Sequence, residues 1–447
     1  MERTLLADLW AWKQNPRRKP LVLQGARQVG KTWLLREFGR AAYARVVEVN
    51  LEKAASARRV FAETLEAGRI VASLALVDGR GPIDPATTLI IFDEVQEAPQ
   101  ALASLKYFCE DAPEYHVACA GSFLGVGLHA GTTFPVGKVD FLTLAPLSLA
   151  EFLAAHGQAA LLDALRAQDF TLLGPFHEAL VGWLKRFFVV GGMPEAVQAD
   201  VTGGDLAEVR TIQRAILRAY DQDLSKHAPA AEVPRIRAVL GSVPRQLARE
   251  NRKFVFGQVR QGARARDLEM ALQWLEDAGH ITKLRRVGTP RLPLASYADE
   301  RSFKVFLADV GLLGAAAELD PAVIIGGDSL FTEFKGALTE QYVLQEIVAS
   351  GLPTPYYWTS DAGSAEVDFL VQSPTGVIPV EVKAATNLRA KSLRVYRDRY
   401  APPLALRLSM ARFEVQGGLV CLPLYATPAL AEIVTSGTPG LVDAQPR

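Results

Sequence analysis

The chain has 447 residues, 49% hydrophobic and 22% charged, the profile of a packed globular protein and not of a disordered one. Its 49 basic and 49 acidic residues cancel, so overall charge gives no support to nucleic-acid binding, and any such contact must be a local patch. Cys109, Cys119 and Cys421 suggest no disulfide framework and do not group as metal ligands. The N-terminal segment lacks the apolar run of a signal peptide and no later stretch is long enough to span a bilayer, so a cytoplasmic location with no membrane partner is expected. The length calls for about two to four modules.

The first part of the chain, to about residue 150, alternates short apolar runs with helical patterns, as parallel βαβ units do. Strands are predicted at Pro20–Gln24, Ala44–Val49, Thr88–Phe92, His116–Ala120 and Val139–Leu144, with a helix from Lys31. From Leu147 to Lys226 the pattern is helical, broken at Val189–Pro194, where Gly-Gly and Met-Pro demand a turn. Ile236, Val239, Leu240, Val243 and Leu247 recur at helical spacing, and Pro244 is expected to kink or restart that helix. A second helix carrying Leu268, Ala271, Leu272 and Leu275 stops at Gly279, followed by a strand His280–Val287 and an extended segment Gly288–Pro293. That order is compatible with a winged helix. From Leu330 a helix and several strands make a small α/β module, with a frayed end after Gly437.

Gly25-Ala26-Arg27-Gln28-Val29-Gly30-Lys31-Thr32 matches G-x-x-x-x-G-K-[ST] between a predicted strand and a predicted helix. The glycines let backbone N–H groups close around phosphate oxygens, and the helix N-terminus favours the negative charge. Lys31 is expected to reach the β- and γ-phosphates of ATP and Thr32 to hold Mg²⁺. Leu89–Glu94 is an apolar strand ending in two carboxylates, of which Asp93 suits Mg²⁺ and Glu94 suits polarisation of the attacking water. Ser122, at the end of the next apolar strand, is a candidate for touching the γ-phosphate or ordering that water. Arg214 and Arg218 are candidate arginine fingers, with no spacing that selects one.

Near the C-terminus Val367–Val371 and Val377–Lys383 flank the turn Ser373–Gly376 and read as a hairpin. Glu381 and Lys383 share one strand face. A helix beginning near Gly336 places Glu340 on its apolar face with Val343, Leu344 and Ile347, where a carboxylate must be paired or coordinate something. Glu340, Asp368 and Glu381 are therefore candidate ligands for Mg²⁺ or Mn²⁺, and Asp368, Glu381 and Lys383 candidate catalytic groups. The bland alternative is a solvated hairpin face with an internal salt bridge.

With both constellations in view, the chain resembles a widespread bacterial and archaeal family. Its members pair an AAA-type P-loop ATPase module with a C-terminal domain of unknown function related to PD-(D/E)xK nucleases. The resemblance spans nearly the whole chain, through GARQVGKT at Gly25–Thr32, IIFDEVQ at Ile90–Gln96, FPVGKV at Phe134–Val139 and PLSLAEFL at Pro146–Leu153. It continues through VGGMPEAV at Val190–Val197, FKVFLADVGLL at Phe303–Leu313, KGALTE at Lys335–Glu340, and Glu366–Leu370 with Glu381–Lys383. It implies an α/β fold in four parts. An AAA-type P-loop ATPase core with helices on both faces of a parallel sheet occupies 1–146, and a helical lid 147–230. A winged-helix-like segment follows over 231–320, then a small PD-(D/E)xK nuclease-like domain over 321–447. It also implies homo-oligomeric rings. Val367 stands before Asp368 where the broader nuclease pattern has proline.

Two functions follow. The leading one is Mg²⁺-dependent ATP hydrolysis coupled to a nuclease-like domain acting on nucleic acid, with Arg260, Arg264, Arg266, Lys283, Arg285, Arg286 and Arg291 as a basic group for phosphates. The other is an ATP-gated scaffold for a protein partner, in which the nuclease-like domain is inactive.

Overall fold

The computed structural model describes residues 1–121, 135–249, 252–326, 332–360, 363–384 and 391–436. The chain divides into two compact units, one of residues 2–145 with 277–280, the other of residue 1 with 146–276 and 281–447.

In the first unit β1 (Leu21–Gln24), β2 (Arg45–Asn50), β3 (Thr88–Asp93), β4 (His116–Ala120) and β5 (Asp140–Thr143) form a parallel sheet in the order β2-β3-β4-β1-β5. Every strand lies within one residue of its sequence expectation, because each is a short apolar run bounded by turn residues. Alternate residues serve opposite faces. Val22, Val47, Ile90, Phe92, Val117 and Cys119 join the core beneath the helices Ala55–Glu63, Ala67–Asp78 and Pro99–Asp111. Leu89 points the other way, against the helix Lys31–Ala42, where a Cβ on Gly39 would stand 3.4 Å from it. This is the parallel sheet with helices on both faces that the motifs led us to expect.

The second unit begins with helices, among them Leu149–Ala155, His177–Val190, Pro194–Val201, Leu206–His227 and Val233–Leu247. The turn predicted at the Gly-Gly pair separates two of them. Val233–Leu247 does not restart at Pro244 but continues through it. Proline there lies in the last turn and forfeits one ladder bond, while buried Ile236, Val239, Val243 and Leu247 hold the helix face in place.

Asp309 anchors that Gly-Gly turn. Its Oδ2 accepts the Gly192 N–H at 2.6 Å and its Oδ1 accepts the Leu312 N–H at 2.8 Å, capping the helix Val310–Ala316. Gln345 donates to Asp309 and to the Leu147 carbonyl, both at 3.2 Å, and accepts the Val310 N–H at 2.8 Å. These bonds explain why polar residues recur within otherwise apolar motifs: they satisfy buried backbone at a junction of four segments.

The rest of the second unit is an eight-stranded mixed sheet. Its strands are β6 (Ile281–Val287), β7 (Ala298–Leu307), β8 (Tyr356–Thr359), β9 (Glu366–Ser373), β10 (Gly376–Lys383), β11 (Ala405–Ser409), β12 (Glu414–Gln416) and β13 (Leu419–Pro423). The order is β12-β13-β11-β10-β9-β8-β6-β7. The predicted hairpin is β9–β10. The strands of the segment read as winged-helix-like, β6 and β7, pair into the same sheet as the C-terminal strands, since β6 lies parallel to β8. The helix expected from near Gly336 starts earlier and spans Thr332–Ala349. Among the described residues no helix is long and apolar enough to cross a membrane.

Candidate functional site

The loop between β1 and the helix Lys31–Ala42 is shaped by its glycines. Gly25 has φ +141°, and a Cβ there would lie 2.2 Å from the Leu144 carbonyl oxygen, so no side chain fits. Gly30, at φ 93°, caps the helix without a side-chain bond, leaving the first-turn N–H groups to face an anion. Ala26 and Val29 bury their side chains, and Arg3 Nη1 donates to the Val29 carbonyl at 2.9 Å, bracing the loop.

Arg27, Lys31, Thr32, Asp93, Glu94 and Gly121 line one cavity of about 280 Å³, as does Gln28. Lys31 donates to the carbonyls of Gly25 and Ala26 at 2.9 and 2.8 Å. Burial pushes its pKa down to about 8, as does the charge of Arg27, while Glu94 and Asp93 act in the opposite sense. Thr32 Oγ1 donates to Asp93 Oδ1 at 2.7 Å, and Asn50 Nδ2 to Asp93 Oδ2 at 3.0 Å. Glu94 adopts a left-handed backbone, φ 52°, just past the end of β3, and its Oε2 accepts from Gln96 Nε2 at 2.5 Å. His280 is buried, and burial together with the charges of Lys31 and Arg27 depresses its pKa to about 3. Ser122 and Phe134 lie outside the described residues.

The hard oxygens of Thr32 and Asp93, already in contact, suit a Mg²⁺ ion. The cationic Lys31 and the open helix N-terminus suit the phosphates that carry it.

The C-terminal constellation is a dense charge network. Asp368 Oδ2 accepts the Val382 N–H at 2.8 Å, which seats it beside Glu381 across the β9–β10 pair. Glu381 Oε1 pairs with Lys383 at 2.5 Å, while its buried Oε2 has no hydrogen-bond partner among the described residues. Burial raises the Glu381 pKa well above the carboxylate range, reinforced by Asp368 and opposed by Lys383 and Arg407. For Lys383 burial disfavours the charge, but Glu381 and Asp368 outweigh it and its pKa is raised. Glu340 faces different partners. It pairs with Arg252 and, at 3.4 Å, with the buried Lys304, which also bonds Glu366 at 2.7 Å.

Among the described residues no three His, Cys, Asp or Glu side chains form a group able to hold a metal. Of the expected trio, Asp368 and Glu381 stand side by side, while Glu340 meets its burial cost with the two cations Arg252 and Lys304. Within the basic group, Lys283 pairs with Glu276 and Arg285 with Glu276 and Glu300.

Comparison with known proteins bears on the parts separately. Residues 17–153 match the model of an AAA domain. That segment, which holds the phosphate loop, is therefore similar to AAA domains. Residues 182–323 and 335–427 match two domains of unknown function, DUF8612 and DUF4143. No curated protein sequence matches the chain. Solved structures with some likeness include the Walker-type ATPase PABY2304 of Pyrococcus abyssi, at 14% identity and a TM-score of 0.43, covering 70% of this chain and 94% of that one. Another is the Aeropyrum pernix Orc1 protein in complex with DNA, at 15% identity and a TM-score of 0.28, covering 71% and 91%. AMPPCP-bound DnaA from Aquifex aeolicus follows at 10% identity and a TM-score of 0.28, covering 61% and 86%.

Within the AAA domain, sequence reasoning located the loop and both carboxylates but missed Asn50 and Gln96. Asn50 is an ordinary polar residue at the end of an apolar strand, set beside Asp93 by the parallel register, while Gln96 closed the IIFDEVQ stretch without being given a role. Arg3 and Arg252 gave no motif signal at all, and Lys304 stood inside the FKVFLADVGLL stretch without being singled out.

Proposed function

We propose that the AAA domain hydrolyses ATP with Mg²⁺ held at Thr32 and Asp93, and that Glu94 is the general base. The observation that carries this reading is the Thr32–Asp93 bond in the cavity that Glu94 and Lys31 also line. Bound Mg²⁺ would neutralise charge on the β- and γ-phosphate oxygens. Lys31 would leave the loop carbonyls for those same oxygens. Glu94 would take a proton from water as the water oxygen bonds to the γ-phosphorus, and the bond from that phosphorus to the bridging oxygen breaks, releasing ADP and phosphate.

For the C-terminal network the favoured reading is a divalent ion, Mg²⁺ or Mn²⁺, held by Asp368 and Glu381, with Lys383 steadying a phosphoryl oxygen of nucleic acid. Glu381 Oε2, buried and without a hydrogen-bond partner among the described residues, supports it. A second reading, a scaffold that binds a protein partner under ATP control, is supported by the pairing of Glu340 and Glu366 with Arg252 and Lys304, which balances charge internally. Incubating full-length protein with labelled linear, circular and single-stranded DNA, with Mg²⁺ or Mn²⁺ and with or without ATP, separates them. Cutting lost in Asp368→Ala supports the first; phosphate release without cutting or DNA binding supports the second.

A further inference from the structure

Gln96 occupies the one-turn 3₁₀ helix Val95–Glu97 that directly follows Glu94. Glu94 lines the nucleotide cavity and Gln96 does not, yet the Gln96 amide donates to Glu94 Oε2. The contact depends on the backbone. Glu94 takes the left-handed conformation, φ 52° and ψ 47°, a costly one for a residue with a side chain, and the turn is closed by the Glu97 N–H on the Glu94 carbonyl at 3.0 Å. The bend brings a side chain two positions on back against the carboxylate. Because the donor is a neutral amide, it fixes one carboxylate oxygen without adding a charge that would compete for the proton. The other oxygen is left to act in the cavity.

We propose that Gln96 is the positioning residue for the general base: it holds the Glu94 carboxylate in the orientation that activates water for attack on the γ-phosphate. The inference rests on the reading of Glu94 as base. A carboxylate that can rotate about its χ angles spends less time aligned with water, and misplacement on that scale costs up to about 100-fold in rate. Nucleotide binding depends on the loop, Lys31 and Thr32, so Gln96 should leave it alone.

The test compares full-length wild type, Gln96→Met, Gln96→Glu and Glu94→Gln by steady-state phosphate release, affinity for a fluorescent ADP, and thermal melting. Gln96→Met keeps the length and removes the donor. Gln96→Glu keeps the shape and adds a carboxylate against Glu94, so the acid limb of its kcat profile should move to higher pH. The expected result is a kcat loss of roughly 10- to 100-fold in both Gln96 variants, with KM, ADP affinity and melting temperature near wild type. If Glu94→Gln abolishes turnover while both Gln96 variants keep wild-type kcat, the positioning role fails and the base assignment stands. A loss of melting temperature and ADP affinity in parallel with kcat, without a displaced acid limb in Gln96→Glu, marks Gln96 as merely structural and also overturns the proposal. If Glu94→Gln hydrolyses normally, the base assignment fails and takes the role of Gln96 with it.

Discussion

Thr32 Oγ1 donates a 2.7 Å hydrogen bond to Asp93 Oδ1, although 61 residues separate them in the chain. The bond joins the first turn of the helix after the phosphate loop to the end of the neighbouring-but-one strand, and so brings the two hard oxygens expected of a Mg²⁺ site together. Asn50 holds the second Asp93 oxygen from the adjacent strand.

Asn50→Ala should therefore weaken metal use more than nucleotide binding. Removing a group that orients a metal ligand typically costs about 10- to 100-fold in metal affinity or activity. A titration of Mg²⁺ against phosphate release checks this: the half-saturating concentration should rise by at least about 10-fold, with ADP affinity in excess metal little changed.

Nucleotide affinity should fall in alkali. Lys31, lowered to about 8 by burial, must be protonated to meet phosphate, and phosphate in turn raises its pKa. Binding thus takes up a proton above that pH. Between about pH 7 and about pH 9 the apparent Kd for ADP should rise by up to about 10-fold, and Lys31→Arg, which stays charged, should flatten the dependence.

Glu346 predicts a pH dependence of stability in the second unit. Burial, and then the charge of Glu151, raises its pKa to about 8, while its Oε1 accepts the Leu149 N–H at 2.7 Å. In the unfolded chain a glutamate titrates near about 4.3. Between these values the folded state holds the extra proton, so this contribution is complete at low pH and is lost as pH rises toward 8. Glu346→Gln keeps the acceptor and cannot ionise, so its melting temperature should decline less than that of wild type between about pH 5 and about pH 8.5.

Asp309→Ala should cost about 2–5 kcal/mol, because it strands the buried Gly192 and Leu312 N–H groups. Chemical denaturation measures it, with Asp309→Asn expected to lie between the two, since one amide oxygen replaces two acceptors.

The first unit was legible in sequence because its signals are local. Gly25–Thr32 and Leu89–Glu94 state their chemistry within a few residues, and five apolar runs set the sheet. The C-terminal network was only half legible. Asp368, Glu381 and Lys383 lie on one hairpin and were found by strand periodicity. Burial of Glu340 was anticipated from its place on an apolar helix face, but its partners Arg252 and Lys304 come from 88 and 36 residues upstream as read from their numbering, beyond any spacing rule. The same holds for β6 and β7, whose local order suggested a winged helix but whose pairing with β8 is a long-range fact.

On the reading proposed above, Glu94 activates water for ATP hydrolysis at a site built by Lys31, Thr32 and Asp93. The most direct measurement is steady-state phosphate release from wild type and Glu94→Gln at saturating ATP and Mg²⁺, with nucleotide affinity measured on the same preparations. Mg²⁺-dependent release by wild type, a loss of at least about 100-fold in the variant, and unchanged affinity are expected. Release from Glu94→Gln at the wild-type rate, or none from wild type, would contradict it.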